Sequence, residues 1–217
     1  MDTAGEISLE RPRPGVPLAW LKPGVFAGAL IPLLVFAYRY FTDQFNDPIA
    51  EILNKLGLLA LVFLLATLAC TPLKLLTGWT WPLRLRRMLG LFAWFYALLH
   101  FLVYLVLDQG FIVSRPALIV WKAVVEDVTE RNFILIGFIA FVILIPLAFT
   151  STGGMVRRLG AKNWQTLHRL TYLAAILGVV HFIMRVKADK REPLIYAGIL
   201  LGLLAVRSFY GRKTGKT

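Results

Sequence analysis

Six long apolar runs constrain the fold of this 217-residue chain more than any other feature. A helix that crosses the hydrocarbon core of a bilayer needs about 20 mostly apolar residues. The runs cover residues 24–41, 52–71, 88–107, 133–149, 167–184 and 193–206. With 58% hydrophobic and 17% charged residues, the chain is too apolar for one water-soluble core, which excludes an ordinary soluble enzyme. The sequence therefore predicts an all-α integral membrane protein built as a six-helix transmembrane bundle.

The ends of the runs predict the domain limits. We expect an N-terminal tail over residues 1–22, one transmembrane domain over 23–210 and a C-terminal tail over 211–217. The first 22 residues lack a basic start, an apolar stretch and a cleavage site, so they do not resemble a signal peptide. Pro72 predicts the end of the second helix, and Pro193 suits the first turn of the sixth. The sixth run is short, since its rise of about 21 Å is less than a hydrocarbon core of about 30 Å.

The longest connection, residues 108–132, contains a further helical pattern. Ser114 and Pro116 supply a helix start, and Leu118, Trp121 and Val124 follow at the spacing of one apolar helix face. This pattern predicts an interfacial helix within the long loop.

The net charge of +12 predicts the orientation in the membrane. If six helices span and the N-terminus is cytoplasmic, the cytoplasmic side carries 15 of the 24 Lys and Arg and 3 of the 12 Asp and Glu. The other side then carries nine of each sign, so the whole excess lies on one face, as the positive-inside rule requires. The basic charge therefore indicates orientation, with both termini cytoplasmic, and contact with anionic lipid rather than nucleic acid.

Two of the three histidines lie deep in apolar runs, where ionisable residues usually mark function. His100 lies about 18 Å from the start of the third run, and His181 lies about 21 Å from the start of the fifth. These two helices are parallel, so the imidazoles have matched depths and suit the two axial positions of a haem iron. Small or flat residues one and two turns before each histidine would let a macrocycle approach: Ala93, Tyr96, Ala97, Ala174 and Gly178.

The third histidine, His168, precedes His181 by 13 residues, which places it about 140° around a regular helix. To face the same side it needs a kink near Gly178 or a local bulge. Arg86 and Arg87, rather than a histidine, stand opposite it on the third run. His168 is therefore a candidate ligand of a second iron, a helix-end hydrogen-bonding group, or a contact to flavin or quinone at the inner surface.

Several motifs resemble one family in combination. They are residues 71–78 (TPLKLLTG), 82–96 (PLRLRRMLGLFAWFY) before His100, 147–152 (LAFTST), 164–168 (WQTLH) before His181, and 192–198 (EPLIYAG). The chain is identified as similar to the MsrQ/YedZ family, the haem-binding membrane subunits of the bacterial protein-methionine-sulfoxide reductase system. That family lies within the ferric-reductase-like transmembrane group, which includes NADPH oxidases. Residues 130–133 (ERNF) depart from the Lys/Arg-Arg-Pro-Tyr sequence that the resemblance leads us to expect.

The resemblance implies electron transfer across a bacterial inner membrane, from the respiratory quinone pool to a periplasmic molybdopterin enzyme. It therefore also implies that the long loop with its interfacial helix is periplasmic. That partner reduces methionine sulfoxide in oxidised envelope proteins, so the chain itself would serve protein repair as an electron-transport subunit. The implied cofactors are haem b, in one or two copies, and FMN, with quinol as electron donor. His100, His168 and His181 match the family's three histidines and are the implied iron ligands.

Other functions remain as alternatives at this stage. One is a cytochrome b-type ferric or flavin reductase-like conduit with a different partner, and another is a non-redox membrane anchor. A transporter or channel predicts acidic residues at mid-membrane and inverted repeats, and the sequence has neither. Arg185, one turn beyond His181, is a candidate partner for a haem propionate.

Overall fold

The computed structural model describes residues 18–109 and 117–214, and every regular element in this part of the chain is helical. The helices are α1 (Leu18–Phe41), α2 (Pro48–Thr77), α3 (Trp81–Val103), α4 (Ala117–Glu130), α5 (Asn132–Phe149), α6 (Gly153–Leu159), α7 (Ala161–His168), α8 (Leu170–Arg185) and α9 (Arg191–Thr214). A π-helical turn, Tyr104–Asp108, prolongs α3. The all-α prediction is confirmed.

Six helical segments are long and apolar enough to cross a membrane, so the chain is a multi-pass membrane protein. They are Trp20–Phe41, Pro48–Thr77, Trp81–Asp108, Asn132–Phe149, Ala161–Arg185 and Arg191–Tyr210. The last segment has 20 residues and is therefore long enough, although its apolar run is short. The helix is longer than the apolar run, since it begins at Arg191 and continues past Arg207. The long side chain of Arg207 can extend its charged end toward the membrane interface.

Several predicted helix ends differ from the observed ones. Helix α2 continues through Pro72 to Thr77, where Gly78 ends it with a positive φ of 73°, so the predicted end at Pro72 was wrong. Transmembrane helices tolerate an internal proline because neighbouring groups satisfy the freed carbonyl. Helix α1 begins at Leu18, and α9 continues to Thr214, so both helices extend into the segments predicted as tails. Pro193 does lie in the first turn of α9.

Two helix pairs form the centre of the bundle. The first pair is α2 with α3, the second is α5 with α8, and these are the two most extensive helix contacts in the described part of the chain. Leucines of α2 and small residues of α3 and α8 fill the seam between the pairs, among them Leu61, Leu65, Ala93, Ala174 and Ala175. Alanines allow the backbones to approach closely, which stabilises helix contacts in lipid.

The remaining helices lie around this centre. Helix α1 packs mainly on α3, where the Tyr96 hydroxyl donates a hydrogen bond to the Ala29 carbonyl. Helix α4 packs on α5, and it buries Val120 and Val124 while it exposes Leu118 and Trp121. The predicted interfacial helix is therefore present, although its predicted start at Ser114 and Pro116 lies outside the described residues.

The two ends of the bundle differ in charge. We call one end the arginine-rich end, because it carries α6, α7 and the start of α3 with Arg84, Arg86, Arg87, Arg157 and Arg158. The opposite end, which carries α4, is the α4 end. The turn Thr150–Gly154 lies at the arginine-rich end, where the Thr152 hydroxyl accepts a hydrogen bond from the Met155 N–H and caps α6.

Candidate haem site

His100 and His181 meet in the seam between the two helix pairs. His100 belongs to α3 and His181 to α8, and their ring centroids are 6.3 Å apart with an interplanar angle of 84°. The matched depths predicted from the sequence thus bring these two rings together. They come from helices of different pairs, so the packing of the pairs sets their separation.

Each of these two rings is held by a backbone carbonyl. His100 Nδ1 lies 2.8 Å from the Leu53 carbonyl oxygen, and His181 Nδ1 lies 2.6 Å from that of Phe133. A carbonyl oxygen only accepts hydrogen bonds, so Nδ1 must carry the proton in both rings. In a neutral imidazole, Nε2 then keeps its lone pair. Both histidines are therefore prepared to bind a metal through Nε2.

An apolar cavity of about 330 Å³ surrounds the two imidazoles. Ala97, Ala174 and Gly178 line it, as the sequence predicted for small residues near the histidines. Ala93 and Tyr96 do not line it. Ala93 is fully buried in the seam between the helix pairs, and the Tyr96 ring stacks on Phe63 while its hydroxyl bonds to α1. Apolar cavities with a few convergent polar groups are the usual form of cofactor sites.

Polar groups line the cavity toward the α4 end. Tyr104, Asp108, Arg131 and Arg185 contribute to this wall. Arg185 is half-buried and takes part in no ion pair within the described part of the chain. It is therefore a cation available to an anionic ligand group, as expected for a propionate partner.

Asp127 of α4 organises the same wall. Its carboxylate accepts hydrogen bonds from the Tyr104 hydroxyl at 3.0 Å and from Gln109 Nε2 at 2.8 Å. Its second oxygen lies 3.2 Å from Arg131 Nε. Tyr104 is the first residue of the π-helical turn and Gln109 follows its last, and π-helical turns often occur at functional sites. Asp127 thus joins α4 to the end of α3 beside the cavity.

These residues fit a six-coordinate haem. The two ring centroids lie 6.3 Å apart within one cavity, so both imidazoles would be able to hold a single iron placed between them. In the described residues no three or more His, Cys, Asp or Glu are grouped to hold a metal ion. A porphyrin brings its own four nitrogens, so it needs only the two imidazoles that this site offers.

His168 lies apart from this cavity, at the end of α7. Its ring stacks on Trp164 with centroids 3.9 Å apart, and its Nε2 lies 3.1 Å from the Thr150 hydroxyl oxygen. Helix α7 ends at His168 and α8 begins at Leu170, so the local break occurs beside His168 and not near Gly178. The structure therefore groups His100 with His181 and leaves His168 separate.

The groups that hold the two rings could not be predicted from the sequence. The carbonyls of Leu53 and Phe133 have no signature in a sequence, because every residue has a carbonyl. Gly57 and Gly137 were readable signals, since a glycine inside an apolar run often marks a close approach. Asp127 was overlooked because it lies in an interfacial segment rather than a spanning run.

The fold and the site together define a class of protein: a multi-pass helical membrane protein whose two parallel spans bring two imidazoles into one apolar cavity. Comparison with known proteins gives the family. Residues 53–179 match the family model described as the ferric reductase like transmembrane component. These residues include helix α2 from Leu53 onward, the two histidines His100 and His168, and most of α8.

Three relatives share the name protein-methionine-sulfoxide reductase heme-binding subunit MsrQ. The protein from Rhodospirillum rubrum is 49% identical over 94% of this chain and 92% of its own length. Those from Herminiimonas arsenicoxydans and Deinococcus radiodurans are 47% and 45% identical, over 89% and 86% of this chain and 86% and 89% of their own lengths. The chain belongs to the MsrQ family of ferric-reductase-like transmembrane proteins. No solved structure matches it.

Proposed function

We propose that the protein is the haem-carrying membrane subunit of a methionine sulfoxide reductase system, with His100 and His181 as the axial iron ligands. The observation that supports this most is the pair of imidazoles 6.3 Å apart, each with Nδ1 bonded to a carbonyl. The relatives' printed name, heme-binding subunit, agrees with it. The bound haem would supply one-electron redox chemistry.

The chain's own residues have three tasks in this proposal. His100 and His181 would hold the iron, and their carbonyl partners keep the proton on Nδ1, so that Nε2 remains as the ligand atom. The apolar wall excludes water and lowers the local dielectric, which are two of the means by which a protein sets a haem potential. Arg185 pairs with a propionate at the α4 end.

We further propose the direction of transfer. Both termini and the arginine-rich end face the cytoplasm, since the excess of Lys and Arg lies there, and the α4 end faces the periplasm. Electrons from the quinone pool, with FMN as a further carrier, enter toward the arginine-rich end. They leave at the α4 end to a periplasmic molybdopterin-containing methionine sulfoxide reductase, which performs the substrate reduction. His168 is the candidate ligand for a second haem or a contact to the flavin.

A visible spectrum tests the central part of this proposal. The purified full-length protein is expected to show b-type haem bands in a dithionite-reduced minus oxidised spectrum. His100→Ala and His181→Ala each remove the bands of the central site, because one axial ligand is lost. His168→Ala in parallel shows whether the third histidine holds a further haem. A colourless wild-type protein would mean that the chain is a non-redox anchor.

A second candidate function rests on the family model, which describes a ferric reductase like component over residues 53–179. In that case the same conduit would deliver electrons to ferric iron or to a flavin. Reoxidation kinetics distinguish the two functions. Reduced protein that is oxidised rapidly by the methionine sulfoxide reductase partner, and slowly by ferric chelates, supports the first function, and the reverse order supports the second.

A further inference from the structure

The two central histidines are held by seats of the same construction on two different helices. His100 Nδ1 contacts the carbonyl of Leu53, and Gly57 follows four residues later on α2. His181 Nδ1 contacts the carbonyl of Phe133, and Gly137 follows four residues later on α5. Each helix pair therefore contains one histidine and, on the partner helix, a carbonyl with a glycine at the i+4 position.

The glycine at i+4 has a geometric cause. In an α-helix the carbonyl of residue i points along the axis toward the N–H of residue i+4 and accepts its hydrogen bond. A carbonyl oxygen has two lone pairs, so it can accept a second hydrogen bond from outside the helix. A ring that approaches from the side passes the β-carbon position of residue i+4. Only a glycine leaves that position empty.

The contacts show how closely the rings use this space. A β-carbon at Gly57 would lie 3.0 Å from both Cε1 and Nδ1 of His100. At Gly137 it would lie 2.6 Å from Nδ1 and 2.9 Å from Cε1 of His181. Real β-carbons do not approach ring atoms as closely as the second seat would require. The His181 seat is thus the tighter of the two, in agreement with its shorter hydrogen bond.

Other glycines in the described helices differ from these two. At Gly90 and Gly178 an added β-carbon would meet a side chain only at 3.6 Å, which is an ordinary contact. At Gly28, Gly198 and Gly202 it would meet nothing within 4 Å. Close approach by an imidazole is therefore specific to Gly57 and Gly137 among the glycines that the structure describes.

We propose that Leu53 with Gly57, and Phe133 with Gly137, are matched positioning seats that fix the tautomer and direction of the two iron ligands. The inference deepens the proposed function and rests on its haem assignment. Each seat keeps the proton on Nδ1, which leaves Nε2 as the nitrogen that can bind iron. The hydrogen bond from Nδ1 also raises the basicity of the ligand, which favours ferric over ferrous iron. The seats therefore influence the potential as well as the binding of the haem.

Alanine substitutions test the seats in the full-length protein. Gly57→Ala and Gly137→Ala are expected to lower haem affinity about 10-fold or more, the usual effect of losing a group that orients a metal ligand. The loss is larger for Gly137→Ala, because its seat is tighter. Haem that remains bound shows a raised midpoint potential and altered low-spin electron paramagnetic resonance g-values. Gly198→Ala and Gly202→Ala are matched controls in α9 and leave haem content, potential and g-values unchanged.

A double-mutant cycle distinguishes the effect of a seat on its histidine from general misfolding and from the effect of haem loss. Thermal unfolding is measured on full-length chains purified from haem-depleted cells. Gly137→Ala lowers the unfolding midpoint when His181 is present, because the ring must leave its carbonyl. In the His181→Ala background the same substitution has no destabilising effect, since alanine suits a helix better than glycine.

Two results would overturn the proposal that these residues are positioning seats. One is equal destabilisation by Gly137→Ala in both backgrounds, and the other is unchanged haem affinity and potential in both glycine variants. A wild-type protein without haem bands has a different meaning. It would refute the proposed function, whereas the cycle on haem-free chains would still test whether the glycines accommodate the rings.

Discussion

The central cavity and the region around His168 use the same side chain in opposite ways. In the cavity, Nδ1 of each histidine bonds to a backbone carbonyl, and Nε2 is left for a ligand. At His168 it is Nε2 that is engaged, 3.1 Å from the Thr150 hydroxyl oxygen. That hydroxyl donates its own proton to the Pro146 carbonyl at 2.6 Å, so Nε2 of His168 is the donor. The ring also stacks on Trp164.

In these three rings, the hydrogen-bond partner of one ring nitrogen decides whether the other nitrogen is left for a ligand. The presence of a histidine in a span does not decide this by itself. The rings of the cavity lie 6.3 Å apart and nearly perpendicular, and in each ring Nε2 is the nitrogen left for a ligand. His168 is instead part of a local network that closes the turn between α5 and α7, to which Trp164 contributes a hydrogen bond to the Thr150 carbonyl. A further cofactor at His168 would have to use Nδ1 or break this network.

The largest expected effect tests whether the cavity rings act as replaceable ligands. His100→Gly and His181→Gly each reduce haem content about 10-fold or more, because an axial ligand is lost. Millimolar imidazole in the growth medium and buffer restores the low-spin spectrum, since it can occupy the vacated space and bind the iron. His168→Gly leaves the bands of the central site unchanged with or without imidazole. Equal loss of those bands in all three variants would contradict the distinction between the two regions.

An intermediate effect concerns the charge beside the cavity. Arg185→Leu keeps the haem bound but lowers its midpoint potential, because removal of a half-buried cation destabilises the reduced, more negative form. The expected shift corresponds to a free energy on the order of 1 kcal/mol. Redox titration measures it, and Arg191→Leu is the matched control, since Arg191 is exposed and pairs with Asp189. An unchanged potential in Arg185→Leu would exclude the propionate contact.

The smallest effect concerns the His168 region. Thr150→Val removes the acceptor of the His168 hydrogen bond and the bond to Pro146 at a buried position, at an expected cost of about 1 kcal/mol in stability. The unfolding midpoint falls slightly, while the spectrum of the central haem does not change. Thr166→Val, which removes an exposed hydroxyl bonded to the Lys162 carbonyl, is the control. A changed central spectrum in Thr150→Val would show that the two regions are coupled.

Much of the fold could be predicted from the sequence, because membrane spans depend on composition and length. Six apolar runs predicted six spans, and residues 117–130 form the helix predicted within the longest connection. The wrong predictions occurred where a local helix-ending signal, such as a proline, competes with the preference of the bilayer for a continuous helix. Pro72 was interpreted as a helix end, but α2 continues for five more residues, because a regular hydrogen-bonded helix is strongly favoured in a medium without water.

The candidate site was only partly predictable. Depth along the helix follows from the rise per residue, so His100 and His181 could be placed at one level, and both rings do lie in one cavity. The direction of a side chain around its helix depends on how neighbouring helices pack. For that reason Tyr96 was grouped with the cavity residues although it packs toward α1 and Phe63.

The sequence by itself determined the class of protein, the number of spans and the two histidines that share a depth, because hydrophobic length and helical rise are properties of the chain alone. The tertiary structure decided which nitrogen of each histidine is available. That choice depends on the carbonyls of Leu53 and Phe133, which reach the rings only when α2 packs on α3 and α5 packs on α8. Gly57 and Gly137 are visible in the sequence, but their role follows only from the tertiary structure, because there an imidazole lies against each of them.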